Sequence, residues 1–466
     1  MSGVRARRGP AWAAAAVLAV VPAAAGATSA QASTVEDGTW WFDALGFDQA
    51  HEQTRGEGAT VAVIDTLIDP SVPDLAGADL QLGGNMCGTQ YQGIDQPVSG
   101  TQAPLGPTFE GPASDHATSM VSLVVGQGTG NGPGGAGISG VAPDATVLFY
   151  SIADDPDGDL TCDGSRDLGA TSTSAAIAQA VQDGADVISV SLAPAGAVGD
   201  LIDASEAAVE AGVVVVASAG NEGPNSLPAF GDGTVIVSGV GPDARLTEDS
   251  SYGLGTIVAA PGSDIRCGAW TESGWDSTDV SNGTSQAAAI TSGVLALVKS
   301  RYPEATGHQL MQHLIRHTTR DELTYTDEFG FGIPSVDELL AEDPAKWADV
   351  DPIAQVDDLL PQLPKQYPDE AALASAQQPA TPTPSAEPSE PADDPPAAAP
   401  EGSGEGGSGP PLGLVLGGVA VLAVLAGGGY LLARRHGAGS TGAGATPEST
   451  DHDHVTIGQA TPARDQ

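Results

Sequence analysis

The sequence predicts an α/β fold of three layers with a mostly parallel central sheet, followed by a single C-terminal transmembrane helix. Three observations predict it. Between residues 58 and 343, short runs of β-branched residues alternate with stretches of helical periodicity. A tract dense in Pro, Ala, Glu and Ser comes next, and then an apolar run without a charge at 412–433.

The elements follow in chain order. Residues 1–32 read as a signal peptide. Arg5, Arg7 and Arg8 precede an apolar run at 11–24, and Ala30-Gln31-Ala32 supplies a small-residue cleavage site. Residues 33–57 are an N-terminal extension, with Trp40, Trp41 and Phe42 as its packing anchors. The main domain spans 58–343. Its first strand is 60–65 (TVAVID), an apolar β-branched run suited to a parallel strand buried on both faces. A second strand is 145–151 (ATVLFYS). Apolar residues at helical spacing mark a helix over 174–183, stopped by Gly184. Residues 186–192 (DVISVSL) form a third strand, 200–211 a helix ended by Gly212, and 213–218 (VVVVAS) a fourth strand. Two more strands are expected at 234–240 and 256–259. A long helix of small residues over 285–300 suits the middle of a domain, and a further helix covers 305–318. In such sheets ligands bind at the carboxyl ends of the strands.

Residues 344–411 form a linker that cannot bury enough apolar surface to offset the entropy of ordering it. Extended at ~3.1 Å per residue, its Pro-rich part reaches on the order of 150 Å. Residues 412–433 are long enough, at ~1.5 Å per residue, to cross a hydrocarbon core of ~30 Å. Arg434 and Arg435 follow directly and mark the cytoplasmic side. The expectation is therefore an extracellular domain on a single-pass anchor, with 434–466 as a cytoplasmic tail.

Composition narrows the function classes. There are 60 Asp and Glu against 16 Lys and Arg, a formal net charge of -44. Nucleic acid and anionic lipid both require a basic patch, so neither is an expected partner. Three cysteines, Cys87, Cys162 and Cys267, permit one disulfide and leave one thiol, and the sequence does not choose the pair.

Three segments carry chemistry. Asp65 ends the first strand. His116 stands in SDHATSMVSLVVG at a helix start, and Ser285 stands in SNGTSQAAAITSG, where a Gly-Thr turn feeds a helix. Each alone reads as a cap or turn residue. Together they supply an acid, a base and a nucleophile: a serine hydroxyl needs an imidazole to take its proton, and the imidazole needs a carboxylate to fix its tautomer.

With these segments in this order, the chain resembles the subtilisin-like serine proteases (subtilases), whose triad runs Asp, His, Ser. The likeness covers residues 58–336 and includes VAVIDTLIDPSVPDL, GISGVAPDATVLFYSI, DVISVSL, VVVVASAGNEG and IVAAPGSDI. It implies a subtilisin-like fold, serine endopeptidase activity without a cofactor, and the triad Asp65, His116 and Ser285. It makes Asn221 the side-chain donor of the oxyanion hole. It places Ser191, Leu192 and Ala193, with Ala217, Ser218, Ala219 and Gly220, along a cleft that pairs with a peptide substrate as an added strand. Within the family the architecture is most similar to the mycosins, which implies association with a type VII secretion membrane complex. A catalytically weak or inactive subtilase-like scaffold that stabilises such a complex is the alternative.

The chain departs from the family pattern at Thr66-Leu67, Ala117, Ala193 and Ala289. If Leu67 occupied the positive φ of a glycine, it would cost roughly 1–2 kcal/mol and displace the triad slightly. Other candidates weigh less. His313 and His317 stand at i, i+4 spacing without an evident third metal ligand. His452 and His454 lie in the polar tail, and Asp154, Asp155, Asp157 and Asp159 read as a solvated loop rather than a calcium site. No metal is expected. Asp69 reads as a turn residue.

Overall fold

The computed structural model describes residues 34–35, 37–100, 106–153, 166–192, 198–320, 323–350 and 352. The signal peptide, nearly all of the linker, the apolar run 412–433, the tail, Cys162, Ala193 and the acidic loop 154–159 lie outside them. Among the described residues no helix is long and apolar enough to cross a membrane.

Seven parallel strands make the central sheet: β1 (Thr60–Asp65), β2 (Asp79–Asn85), β3 (Thr146–Ser151), β4 (Val187–Val190), β5 (Val214–Ser218), β6 (Val235–Val240) and β7 (Thr256–Pro261). Their spatial order is β7-β6-β5-β4-β1-β3-β2. All their pairings are parallel, with Asp65 beside Ser151 and Ile64 beside Val190. β4, β5 and β6 are buried at every residue, which is why they read as unbroken apolar runs. β1 lies between β3 and β4, so the winding direction reverses around it and a crevice opens at its carboxyl end.

The sequence reading missed β2. Its residues, DLQLGGN, are mostly exposed or half-exposed, it pairs on one side only, and its register shifts between Leu82 and Gly84. An edge strand has no need of an apolar run. Gly83 is required there: a Cβ would sit 2.2 Å from the Tyr150 ring.

Eight α-helices, four two-stranded sheets and short 3-10 turns complete the described structure; the helices are α1 (Trp40–Ala44), α2 (Phe47–His51), α3 (Asp115–Val125), α4 (Arg166–Gln182), α5 (Gly199–Glu210), α6 (Thr284–Arg301), α7 (Gly307–Arg316) and α8 (Val336–Ala341). α4 packs beside α5, and α3 beside α6. α6 is buried from Thr284 to Val298 and lies against β4 to β7. Only small residues let one helix meet so many neighbours; a Cβ on Gly293 would sit 2.5 Å from Val141. α4 begins earlier than the spacing predicts, and α7 is shorter at both ends. Its start is set by a capping box between Thr306 and Gln309.

The N-terminal extension lies on this domain. Trp41 and Phe47 are buried, and Trp41, Phe42 and Phe47 form a ring cluster with centroids 5.3–5.6 Å apart. Trp40 Nε1 donates to the carbonyls of Ser263 and Asp264, and Arg266 N–H donates to Gly38 O at 2.9 Å. Cys87 is disulfide-bonded, whereas Cys267 is a buried free thiol.

The expected strain at Leu67 is absent. The non-glycine residues at positive φ among those described are Asn225, Ala244 and Asp264. Leu67 therefore keeps an ordinary backbone and is buried, and Ala117 and Ala289 are buried within helices.

Candidate active site

Two strand ends and two helix starts converge at the crevice beside β1. Asp65, fully buried, is the last residue of β1. Its Oδ1 accepts the Thr66 N–H at 2.6 Å. The imidazole of His116, second residue of α3, points Nδ1 at both carboxylate oxygens, 2.8 Å from Oδ1 and 3.0 Å from Oδ2. An ionised carboxylate only accepts, so Nδ1 carries the proton and Nε2 keeps its lone pair. The ring is 35% exposed, so Nε2 can be reached from the cleft. Desolvation pulls the His116 pKa down, but the charge and hydrogen bond of Asp65, with the charge of Asp115, outweigh it. The net result is a pKa above the ordinary 6.5.

Ser285 is the second residue of α6 and is 8% exposed. Its Oγ donates to the carbonyl of Ser191 at 2.9 Å, and Ser191 Oγ donates to the carbonyl of Ser285 at 3.2 Å. Ser285 and His116 thus stand at the starts of two helices that pack side by side, with no hydrogen bond between them.

Asn221 follows β5 and the positive-φ Gly220. Its Oδ1 accepts the Thr284 N–H at 3.0 Å and lies 3.3 Å from Thr284 Oγ1. A backbone N–H can only donate, so this bond fixes which end of the amide is oxygen. Nδ2 is thereby left without a partner among the described residues. Ser285 N–H, in the first turn of α6, likewise has no intrahelical acceptor. Two donors, Asn221 Nδ2 and the Ser285 N–H, are therefore uncommitted near the start of α6, and donors of this kind can stabilise a developing oxyanion.

The other residues expected along the cleft are partly committed elsewhere. Ala217 and Ser218 are buried in β5, paired with β4 or β6 neighbours. Ala219 N–H donates to Val237 O and Gly220 N–H to Thr284 Oγ1. Leu192 is half-buried beside Ser191.

Several residues that serve this region were not singled out from the sequence. Thr284 ties Gly220 and Asn221 to α6; its place in the Gly-Thr-Ser turn was the available signal. Asp74, fully buried, holds three donors: Ile138 N–H at 2.7 Å, Trp275 Nε1 at 2.8 Å and Ser277 Oγ at 2.6 Å. Asp69 forms a turn, accepting both donors of Ser71. His313 and His317 use their ring nitrogens within the fold. His313 bonds Leu339 O and Trp347 Nε1, and His317 bonds His313 O and Glu342. Among the described residues no group of three or more His, Cys, Asp or Glu could hold a metal.

Residues 56–332, more than half the chain, match the subtilase family, peptidase S8. The chain is 29% identical to fervidolysin of Fervidobacterium pennivorans over 327 residues, covering 65% of this chain and 43% of that protein. It is 30% identical to thermitase of Thermoactinomyces vulgaris over 260 residues, covering 54% of this chain and 79% of that one. Among solved structures, the MycP3 protease from the type VII (ESX-3) secretion system superposes with a TM-score of 0.51 at 26% identity. That match covers 66% of this chain and 89% of MycP3. The chain thus spans less than half of fervidolysin and most of thermitase and MycP3.

Proposed function

The chain belongs to the subtilase family, and from that premise we propose that it is a serine endopeptidase working through an acyl-enzyme. The observation that carries the reading is the two-oxygen contact of Asp65 with His116 Nδ1. It orients the base, and Ser285 stands on the neighbouring helix start. The Ser285 hydroxyl leaves the Ser191 carbonyl, gives its proton to His116 Nε2 and attacks the peptide carbonyl. The oxyanion is held by Asn221 Nδ2 and Ser285 N–H. His116 returns the proton to the leaving amine, and water then cleaves the ester by the same steps in reverse order. Ser191, Leu192 and Ala193, with Ala217 to Gly220, flank the peptide.

Labelling with a fluorophosphonate probe tests this reading. The probe phosphonylates an activated serine with loss of fluoride. The wild type is expected to label and Ser285→Ala to remain blank; an unlabelled wild type overturns the proposal.

The finer reading is an enzyme exported by its signal peptide, held on a single-pass membrane anchor, and associated with a type VII secretion complex. Its support is the basic-apolar-small N-terminus, the apolar run 412–433 followed by Arg434 and Arg435, and the likeness to MycP3. Cell fractionation after proteinase treatment tests the topology: the main domain should be degraded from outside and the tail protected.

A second reading, a subtilase-like scaffold of low activity, is favoured by the engagement of Ser285 Oγ with Ser191 instead of His116. It requires that Ser285→Ala leave secretion intact while deletion of the whole chain abolishes it. Equal loss in both strains excludes it.

A further inference from the structure

We propose that Glu222, with Ser251 behind it, is a positioning residue that aims Asn221 at the oxyanion. The inference rests on the peptidase reading above. The Glu222 side chain is solvent-exposed, but its carboxylate is engaged with the turn. It folds back over the turn, and its Oε2 accepts the Asn221 main-chain N–H at 2.8 Å. The same oxygen accepts the Ser251 hydroxyl at 3.3 Å, while Ser251 Oγ accepts the Glu222 N–H at 3.1 Å. Ser251 N–H donates to Gly220 O at 2.9 Å. Ser251 is fully buried, and its own carbonyl is held by the hydroxyls of Ser238 and Ser250. The turn from Gly220 to Glu222 is therefore fastened at three points to a rigid serine cluster.

The position of Gly220 shows how closely the carboxylate lies. At φ +97 its backbone suits glycine, and a Cβ there would sit 2.5 Å from Glu222 Oε2. Asn221 is thus gripped from two sides. Thr284 on α6 holds its side-chain oxygen, and Glu222 holds its main-chain N–H. The first grip sets the amide orientation. The second sets the backbone from which that amide projects. Asn221 and Glu222 are both solvent-exposed, so among the described residues hydrogen bonds rather than packing hold the turn. A donor must lie about 2.7–3.1 Å from the oxyanion to act, and a loosened backbone loses that register.

The consequence falls on the chemical step and not on binding, because the oxyanion exists only in the transition state. Glu222→Ala removes the acceptor, and Glu222→Gln keeps one oxygen in place of the carboxylate. Fluorophosphonate labelling, resolved into kinact and KI, is the first readout. Hydrogen exchange at the Asn221 amide is the second, and it does not depend on catalysis. Glu222→Ala should lower kinact by about 10-fold with KI within about twofold, and Glu222→Gln should recover most of the loss. The Asn221 amide should exchange faster in Glu222→Ala only. Labelling of the wild type with unchanged kinact in Glu222→Ala overturns the positioning role alone, as does unchanged exchange. A wild type that does not label overturns the peptidase reading and the catalytic role of the clamp with it.

Discussion

Ser285 Oγ donates to the main-chain carbonyl of Ser191, and Ser191 Oγ donates back to the carbonyl of Ser285. A hydroxyl has one proton, so Ser285 cannot serve this carbonyl and His116 together. The resting nucleophile is held off its base. A neutral hydrogen bond is worth about 1 kcal/mol net, so the hold reduces the reactive population only about fivefold. That magnitude argues for a slowed enzyme over a dead one. The expected agent of release is the main-chain N–H of the residue whose carbonyl is attacked, which would replace the Ser285 hydroxyl as the donor to Ser191 O. A substrate with ester oxygen replacing that N–H should lose kcat by about 10-fold relative to the amide. Equal kcat for the pair would show that the Ser191 carbonyl plays no part in release.

Asn221 is the donor whose loss should cost most. Asn221→Ala is expected to lower kcat by about 10²–10³-fold with little change in KM. Thr284→Val should cost less, on the order of 10-fold. It removes the hydroxyl that holds Gly220 N–H but keeps the Thr284 N–H that anchors Asn221 Oδ1. Steady-state kinetics on one peptide separates the two variants. A larger loss in Thr284→Val than in Asn221→Ala would contradict Asn221 as the donor.

The raised pKa of His116 sets the pH profile. Catalysis needs Nε2 unprotonated, so activity falls as pH drops through the folded value, and the acid limb of kcat/KM should lie above 6.5. Stability runs the other way. The protonated ring is favoured in the fold, so this contribution is fully present below pH 6.5 and is lost as pH rises through the folded value. Asp65→Asn removes the charge that raises the pKa. Its residual activity, with the tautomer no longer fixed, should show an acid limb moved downward. A profile with its limb below 6.5 in the wild type would remove Asp65 as the dominant influence.

What could be read from the sequence tracks how locally each feature is written. Asp65, His116 and Ser285 each sit at a strand end or helix start whose apolar neighbours announce the element, and Asn221 follows the end of β5 by three residues, so the fold class predicts where each falls along its element. β2 was hidden because an edge strand with two glycines carries no alternation. The Leu67 strain was a false inference from a family pattern: the backbone at that position takes an ordinary φ. The Glu222–Ser251 and Asp74–Trp275 contacts join residues 29 and 201 positions apart. Nothing in the local sequence marks such pairs, since a carboxylate can meet any donor that the topology delivers.

His313 is expected to contribute to the loss of stability in acid. Burial pushes its pKa down to about 4, the hydrogen bond to Leu339 O opposes the shift, and the charges of His317 and Lys346 add to it; with Nε2–H donating to Leu339 O, Nδ1 accepts from Trp347 Nε1. The unfolded ring binds a proton near 6.5, so this contribution is full above that pH and is lost as pH falls toward 4. The decline should amount to roughly 2–3 kcal/mol. Urea denaturation at pH 7, 5.5 and 4.5 checks it. His313→Gln keeps a donor toward Leu339 and should flatten the slope. An unchanged slope in that variant would assign the acid loss to other groups.

Asp74 is expected to be a stability residue with no direct part in turnover. It is fully buried, and its two oxygens take three donors from two distant segments. Asp74→Ala leaves Trp275 Nε1, Ser277 Oγ and Ile138 N–H unpaired in the interior. Each orphaned donor costs about 1–3 kcal/mol, and relaxation and water entry recover part of it, so a net loss of about 3–5 kcal/mol is expected. Asp74→Asn should lose less, because one oxygen still accepts. The segment 269–277 also touches the start of α3, where Trp270 N–H donates to Asp115 at 2.6 Å, so the clasp supports the helix that presents His116. At temperatures where both proteins remain folded, fluorophosphonate labelling of Asp74→Asn should match the wild type within about threefold. A labelling loss as large as that of Asn221→Ala, without a fall in denaturation midpoint, would place Asp74 in the catalytic machinery instead.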